Sequence, residues 1–198
     1  MNDITANQAR VLLTLLKDYR IKYNANSLSK TVGLSAMGTL KILRRFHEQG
    51  ILRTETIGRA IIYRIDYSSY VKQFLAFLLR KEAEEAEPRV KRWVTEMRKL
   101  ESTASICVLF GSVLRSDSYS DVDALVVFEQ ARIKELNALI RNITSLTNKD
   151  VHLVKQAEVD LVKNLSESNP VILNAMRGVV VFGYEEFVEV MERVTPRE

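Results

Sequence analysis

Cysteine and histidine are scarce in this chain of 198 residues, and their scarcity excludes several kinds of site. Cys107 is the one cysteine, so an intramolecular disulfide and a cysteine metal cluster are both excluded. Its apolar neighbours in the sequence predict a buried structural thiol. The two histidines, His47 and His152, are too few for a histidine-based zinc site.

Long apolar runs are also missing from the sequence. No stretch of about 18 or more apolar residues occurs, so we expect no membrane-spanning helix. The first ten residues lack the charged and then apolar layout of a signal peptide, which predicts a cytoplasmic protein with no membrane partner. With 46% apolar and 27% charged residues, the composition is typical of a globular chain with one large or two small domains.

Positive charge is concentrated in the first third of the chain. Residues 1–66 contain 11 Lys and Arg against 5 Asp and Glu, whereas residues 67–198 contain 18 against 20. A local basic excess of this kind attracts polyanions. It does not identify the polyanion.

The basic region begins with two predicted helices. Apolar residues over 11–19 form one stripe of an amphipathic helix, which we expect to span about residues 5–22. A short second helix follows, with Asn26 or Ser27 as its predicted cap and Gly33 at its end.

A third helix and a hairpin complete this region. Ser35 is the predicted cap of the third helix, which turns Leu40, Leu43 and Phe46 inward and stops near Gly50. Only residues 33–35 separate it from the second helix, the length of a helix-turn-helix turn. Two strands then meet around Gly58, whose backbone suits the turn.

Three helices followed by a basic-tipped hairpin resemble a winged-helix domain, and we assign this domain to residues 1–66. The resemblance implies DNA binding, with the third helix in the major groove and the hairpin tip on the backbone or minor groove. The implied DNA-contacting residues are Ser35, Thr39, Lys41, Arg44, Arg45 and Arg59. The alternative is a winged helix whose charged face serves protein contacts.

Residues 67–101 predict a helical connector. An apolar stripe marks a first helix, and Pro88 suits the first turn of a second one. The charged run over 80–92 contains both signs, which favours an exposed helix surface with pairs four residues apart over a binding tail.

Two short apolar runs in the last third end or begin with polar residues. The run over 104–110 ends in Gly111 and Ser112, and the run over 121–128 begins with Asp121 and Asp123. Side chains two apart on a strand share a face, so the two carboxylates project together and repel each other unless a cation lies between them. Oxygen ligands suit Mg²⁺ or Mn²⁺, and these ions bind phosphates.

This pattern resembles the minimal nucleotidyltransferases of the DNA polymerase beta superfamily, whose motif is matched by Gly111, Ser112, Arg115, Asp121 and Asp123. The resemblance implies a fold of the α+β class, with a mixed sheet in a nucleotidyltransferase-type domain over residues 102–198. It also implies that Asp121 and Asp123 hold Mg²⁺ or Mn²⁺. Gly111, Ser112 and Arg115 would bind a nucleoside triphosphate (NTP).

Two features depart from the family motif. Ser116 stands where family members commonly have glycine, and the spacer before Asp121 is short. The family carries a third catalytic carboxylate on a later strand, where this chain has His152. Asp150 lies two residues earlier on the same strand face, so both Asp150 and His152 are candidate catalytic residues.

The end of the sequence continues the resemblance. It predicts a helix near 168–177, a strand over 179–182 and a closing helix over 184–194.

Two functions therefore remain open at the sequence level. One is a metal-dependent nucleotidyltransferase that carries a winged-helix module. The other is a DNA-binding regulator whose nucleotidyltransferase-like domain only binds nucleotide, or nothing. The sequence is compatible with a homodimer but does not determine the oligomeric state.

Overall fold

The fold was analysed in a computed structural model, which describes residues 4–147 and 149–196. The chain forms two compact units that divide between Leu78 and Leu79, with Thr195 returning to the first unit. Within the described residues, no helix combines the length and apolar character needed to cross a bilayer.

The first unit is a winged helix. Its helices and strands, in chain order, are α1 (Ala6–Lys17), α2 (Ala25–Val32), α3 (Ala36–Glu48), β1 (Leu52–Ile57), β2 (Ala60–Ile65) and α4 (Ser69–Glu84). The last of these helices continues across the division into the second unit. Strands β1 and β2 pair as an antiparallel hairpin closed by residues 58–59, as predicted.

The helix ends show where local sequence signals were sufficient. Ser35 caps α3 by accepting a hydrogen bond from the Gly38 amide, which confirms the predicted cap. The cap of α2 was wrong: Asn24 is the cap, and Ser27 is the third helical residue of a reciprocal capping box.

The first helix is shorter than predicted. It ends at Lys17, with Asp18 as its C-terminal cap, rather than near residue 22. The Tyr23 hydroxyl donates to the Asp18 carboxylate at 2.8 Å, and Tyr19 and Tyr23 are both buried. The helix therefore ends before Tyr19, and the rings of Tyr19 and Tyr23 both pack into the first unit.

The second unit contains a four-stranded mixed sheet. Its elements are α5 (Pro88–Met97), β3 (Ile106–Phe110), β4 (Asp121–Val127), α6 (Ile133–Thr147), β5 (Asp150–Gln156), α7 (Glu158–Ser166), α8 (Pro170–Met176), β6 (Val179–Phe182) and α9 (Tyr184–Val194). The strand order is β5-β4-β3-β6, with β4 and β5 parallel and the other pairs antiparallel. This confirms the mixed sheet.

Helices α5 and α6 cover one face of the sheet. Val122, Ala124 and Val126 of β4 join a buried cluster with Trp93 of α5 and Leu136 of α6. Cys107 belongs to the same cluster, and burial raises the pKa of its thiol, which confirms a structural cysteine. Because side chains alternate along a strand, Asp121 and Asp123 project to the opposite face.

Candidate functional site

The candidate site lies at the edge of the sheet where β3 ends and where β4 and β5 begin. Phe110, the last residue of β3, pairs with Asp123. On the other side of β4, the parallel ladder pairs Asp123 with His152 and Asp121 with Asp150. The register thus brings Asp121 and Asp123 next to both candidates for the third ligand, Asp150 and His152.

Three side chains meet closely at this edge. The His152 Nδ1 atom lies 3.2 Å from the Asp121 Oδ2 atom and 3.9 Å from the Asp123 Oδ1 atom. Within residues 4–147 and 149–196, these three side chains form the group that could hold one metal ion, with ligand atoms within 4.8 Å of one another. Asp150 is not a member of the group.

Two acidic side chains, Asp121 and Asp123, lie close together in this cluster. The pKa of the Asp123 carboxyl lies above its usual value, chiefly because partial burial disfavours its ionised form and additionally because Asp121 lies nearby. His152 and Arg115 oppose this shift. A bound cation would remove the repulsion between the two carboxylates.

The ligand atoms are mixed in type. Two carboxylates and one imidazole suit Mn²⁺, which accepts nitrogen as well as oxygen ligands. Mg²⁺ prefers oxygen ligands in near-ideal octahedral geometry, so only Asp121 and Asp123 suit it here. The residues therefore fit a divalent cation, and Mn²⁺ better than Mg²⁺.

Gly111 makes the close approach to this cluster possible. Its backbone has φ of +82° and ψ of −149°, a region that is essentially confined to glycine. A Cβ atom at this position would lie 2.2 Å from the Asp123 Oδ2 atom. The chain can thus pass directly beside the carboxylate only because residue 111 has no side chain.

Ser112 follows Gly111 and opens a short 3₁₀ turn, Ser112–Leu114. Its Oγ atom is buried and has no hydrogen-bond partner among the described residues. A buried hydroxyl without a partner costs free energy, so a phosphate oxygen brought to this position would satisfy it. Arg115, at the end of the turn, is exposed.

Most of the predicted DNA-contacting residues of the first unit are exposed. Lys41, Arg44 and Arg45 are exposed on α3, and Arg59 is exposed at the hairpin tip. The hydroxyl of Ser35 is occupied by its capping role, since it accepts from the Gly38 amide.

Thr39 cannot belong to this surface, because its side chain is fully buried. It precedes Leu43 by four residues and Phe46 by seven, spacings that share one side of a helix, and both of those residues are in the core. Met37, which the sequence analysis did not select, is 63% exposed on α3 instead. The helical period counted from Leu43 would have identified both positions.

Two residues of α5 anchor the segment between Ser112 and Asp121, and neither was predicted from the sequence. The Arg89 guanidinium of α5 donates to the Val113 and Leu114 carbonyls at 3.0 and 3.3 Å. The Trp93 indole of the same helix donates to the Tyr119 hydroxyl at 2.9 Å. These contacts join residues more than 20 positions apart, and no local pattern announces them.

Comparisons with known proteins agree with the geometry of the second unit. Residues 90–183 match the sequence model of the family described as nucleotidyltransferase domain. This match confirms the resemblance to nucleotidyltransferases for that part of the chain, and it also includes most of α5. No curated protein matches the chain.

Two solved structures resemble part of the chain. One is MepR, a transcription regulator of the Staphylococcus aureus multidrug efflux pump MepA, with 17% identity and a TM-score of 0.36 over 50% of this chain and 79% of that chain. The other is a mutant of Lactococcus lactis ZitR, with 12% identity and a TM-score of 0.30 over 51% of this chain and 75% of that chain. Both TM-scores are too low to carry over the role of either protein.

Proposed function

We propose that this chain is a metal-dependent nucleotidyltransferase that transfers a nucleoside monophosphate from an NTP to an acceptor, and that its winged helix binds DNA. One observation carries the proposal: Asp121 and Asp123 lie side by side against the Gly111 turn, inside a domain that matches the nucleotidyltransferase family.

The two aspartates and the turn have separate roles in this proposal. Asp121 and Asp123 hold Mg²⁺ or Mn²⁺. The backbone at Gly111 and the hydroxyl of Ser112 receive the phosphates, while Arg115 adds positive charge. The bound ion supplies charge neutralisation, for the triphosphate and for the charge that develops during transfer.

Transfer requires an in-line displacement at the α-phosphorus. The acceptor oxygen forms the new bond, pyrophosphate leaves, and the acceptor loses its proton. With Mg²⁺ bound, His152 is the proposed proton acceptor, because its imidazole occupies the place of the family's third carboxylate, beside Asp121, and does not bind that ion. When the imidazole binds Mn²⁺, its one lone pair is taken and it cannot accept the proton. Asp150 is the alternative, since it lies on the same face of β5 and pairs with Asp121.

The imidazole at position 152 sets the expected level of activity. A neutral nitrogen ligand binds Mg²⁺ poorly and leaves the site one negative charge short of three carboxylates. We therefore expect weak transfer that is stronger with Mn²⁺ than with Mg²⁺.

The same residue favours a second candidate function. With His152 in place of a carboxylate, the domain could bind metal and nucleotide without transferring the nucleotide. The chain would then be a DNA-binding regulator that responds to nucleotide through its second unit. The exposed basic residues Lys41, Arg44, Arg45 and Arg59 serve DNA binding in either case.

Labelled nucleotides distinguish these functions. The full chain is incubated with each of four NTPs labelled at the α-phosphate, with Mg²⁺ or Mn²⁺, and with or without cell extract as a source of acceptors. Transfer predicts a labelled product that is more abundant with Mn²⁺ and absent from the Asp123→Asn variant. If the chain binds an NTP with Mn²⁺ but forms no labelled product, the result supports the regulator. If it neither binds an NTP nor forms a product, the result contradicts both functions.

A further inference from the structure

Arg89 satisfies the backbone of the turn that follows Gly111. Its side chain is only 18% exposed, and it reaches the turn from α5. The Nε atom donates to the Val113 carbonyl at 3.0 Å, and the Nη2 atom donates to the Leu114 carbonyl at 3.3 Å. The last carbonyls of a helical turn have no partner within the turn, so Arg89 provides the missing donors.

The same guanidinium also holds the chain beyond the turn. Its Nη1 atom donates to the Asp117 carboxylate at 3.0 Å and to the carboxylate of Glu87, the residue that precedes α5. Two carboxylates thus neutralise its charge. Arg89 is therefore engaged with protein groups and is poorly placed to act as a phosphate ligand.

A second anchor lies one helical turn further along α5. Trp93 is four residues after Arg89, a spacing that puts both side chains on one face of the helix. Its indole donates to the Tyr119 hydroxyl, and the Lys149 ammonium donates to the Tyr119 carbonyl at 2.7 Å. The segment 112–120 is thus fixed near both of its ends.

This segment joins the two halves of the candidate site. Gly111 and Ser112 lie at its start, and Asp121 follows its end. The segment contains only a short 3₁₀ turn and no strand, so its own backbone pairing cannot fix its conformation. Its position relative to the carboxylates therefore depends on side chains from outside, and Arg89 holds the part nearest Ser112.

We propose that Arg89 is a positioning residue for triphosphate binding. It holds the segment 112–117 so that the backbone of Gly111 and the hydroxyl of Ser112 face the metal ligands Asp121 and Asp123. This inference rests on the proposed function, because it assigns Arg89 to the phosphate side of the same site. It separates metal binding, which does not need Arg89, from triphosphate binding, which does.

The test compares two ligands on the full chain: Mn²⁺ alone, and inorganic tripolyphosphate in the presence of Mn²⁺. The variants are Arg89→Ala and Arg89→Lys, and the matched control is Arg92→Ala, which removes the same charge from an exposed position on the same helix. We expect Mn²⁺ affinity to be unchanged in all variants. Tripolyphosphate affinity should fall about tenfold or more in both Arg89 variants, as is typical when a residue that orients ligands is removed.

The lysine variant tests the geometry of the contact. Lysine keeps the charge but lacks the planar fork that reaches two carbonyls and a carboxylate together. Hydrogen exchange gives a second readout: amides in 112–118 should exchange faster in both Arg89 variants, while those of β3 and β4 keep parental protection. If Arg89→Ala does not fold, Arg89→Lys carries the test with both readouts.

The possible negative results of these binding measurements lead to different conclusions. Parental tripolyphosphate affinity in Arg89→Ala or Arg89→Lys would overturn the positioning role while leaving the proposed function intact. Loss of Mn²⁺ affinity together with tripolyphosphate affinity would also overturn it, because the residue would then support the whole site. A parent chain that does not bind tripolyphosphate with Mn²⁺ would overturn the proposed function itself and, with it, this inference.

Discussion

At the scale of single residues, His152 distinguishes the candidate site from one built of carboxylates alone. It pairs with Asp123 across the β4–β5 ladder and lies beside both carboxylates. An imidazole there adds a nitrogen ligand and no negative charge when neutral. The choice of metal ion should therefore depend on this one side chain.

Replacing the imidazole by a carboxylate should shift the metal preference towards Mg²⁺. We expect His152→Asp to raise Mg²⁺ affinity about tenfold or more, because a ligand should matter at least as much as the residues that orient ligands. Titration calorimetry with Mg²⁺ and with Mn²⁺ measures this change, and His152→Asn is the control without charge. Equal Mg²⁺ affinities in the parent and in His152→Asp would show that residue 152 does not face the ion.

The cost of ionising Asp123, which comes first from its partial burial and second from the nearby Asp121, should be measurable without metal. Because the folded state raises the pKa of Asp123, this carboxyl stabilises the fold most when protonated, and that contribution is lost as the pH rises through its folded pKa. In metal-free buffer at neutral pH, Asp123→Asn should therefore be more stable than the parent, by about 0.2–1 kcal/mol, the range for exposed charge pairs.

The pH dependence of stability distinguishes the loss of the Asp123 charge from a change in stability that does not depend on ionisation. Thermal unfolding of the parent and Asp123→Asn should give midpoints that converge as the pH falls towards the ordinary aspartate value of about 4. Asp160→Asn, at an exposed position on α7, serves as the control. A stability difference that stays constant across this range would rule out the charge of Asp123 as its cause.

At the scale of elements, the turn after β3 is the part that the site requires most strictly. Its glycine adopts a conformation that other residues avoid, and it passes within contact distance of Asp123. The neighbouring helix α5 holds the rest of the segment through Arg89 and Trp93. The turn is therefore constrained from both sides.

Substitution of this glycine should harm both fold and binding. We expect Gly111→Ala to cost about 1–3 kcal/mol of stability from backbone strain alone. Binding of Mn²⁺ should also weaken, since the new methyl group displaces the Asp123 carboxylate.

Gly58 in the hairpin provides the matched control. Its φ is also positive, at +60°, but an added Cβ would meet nothing within 4 Å. Gly58→Ala should show a strain cost with Mn²⁺ binding unchanged, as measured by chemical unfolding and calorimetry. Unchanged Mn²⁺ binding in Gly111→Ala would contradict the close approach to Asp123.

Some helices and strands of the second unit could be predicted from the sequence, and others could not. Strands β3 and β4 follow from apolar runs and turn residues, whereas β6 and α9 follow from the family resemblance, and the predictions of all four were confirmed. Helices α6 and α7 were not predicted. Helix α6 could have been inferred, because parallel strands such as β4 and β5 need a long crossover between them. Helix α7 begins without a side-chain cap, so the acidic residues of its first turn, Glu158 and Asp160, are a weak signal of its start.

Within the site, contacts between residues that are far apart in the sequence could not be predicted. Asp121 and Asp123 were predictable from their spacing on one strand, whereas the role of Arg89 depends on contacts with a segment more than 20 residues away. Thr39 was wrong, because the helical period shared with Leu43 and Phe46 places its side chain in the core.

At the scale of the whole molecule, the chain carries its basic excess in one unit and its carboxylate site in the other. Exposed arginines of the winged helix, including Arg44, Arg45 and Arg59, form the basis of the proposed DNA contacts. Contacts with phosphates release counterions, so they make the affinity for DNA depend on salt.

The salt dependence of DNA binding should change with each arginine removed. We expect Arg59→Ala to weaken binding to a non-specific duplex and to reduce the slope of log affinity against log salt by about 0.9, the value for one phosphate contact. The same should hold for Arg44→Ala and Arg45→Ala. Arg92→Ala in the second unit is the control, and an unchanged slope in all three winged-helix variants would contradict DNA binding.

The central claim is that Asp121 and Asp123 bind an NTP through a divalent cation, and calorimetry tests it most directly. Each of the four NTPs is titrated into the full chain in the presence of Mn²⁺, and the experiment is repeated with a variant that combines Asp121→Asn and Asp123→Asn. The account predicts saturable binding of at least one NTP to the parent chain and its loss in the variant. Equal binding to both proteins, or no binding to either, would contradict it.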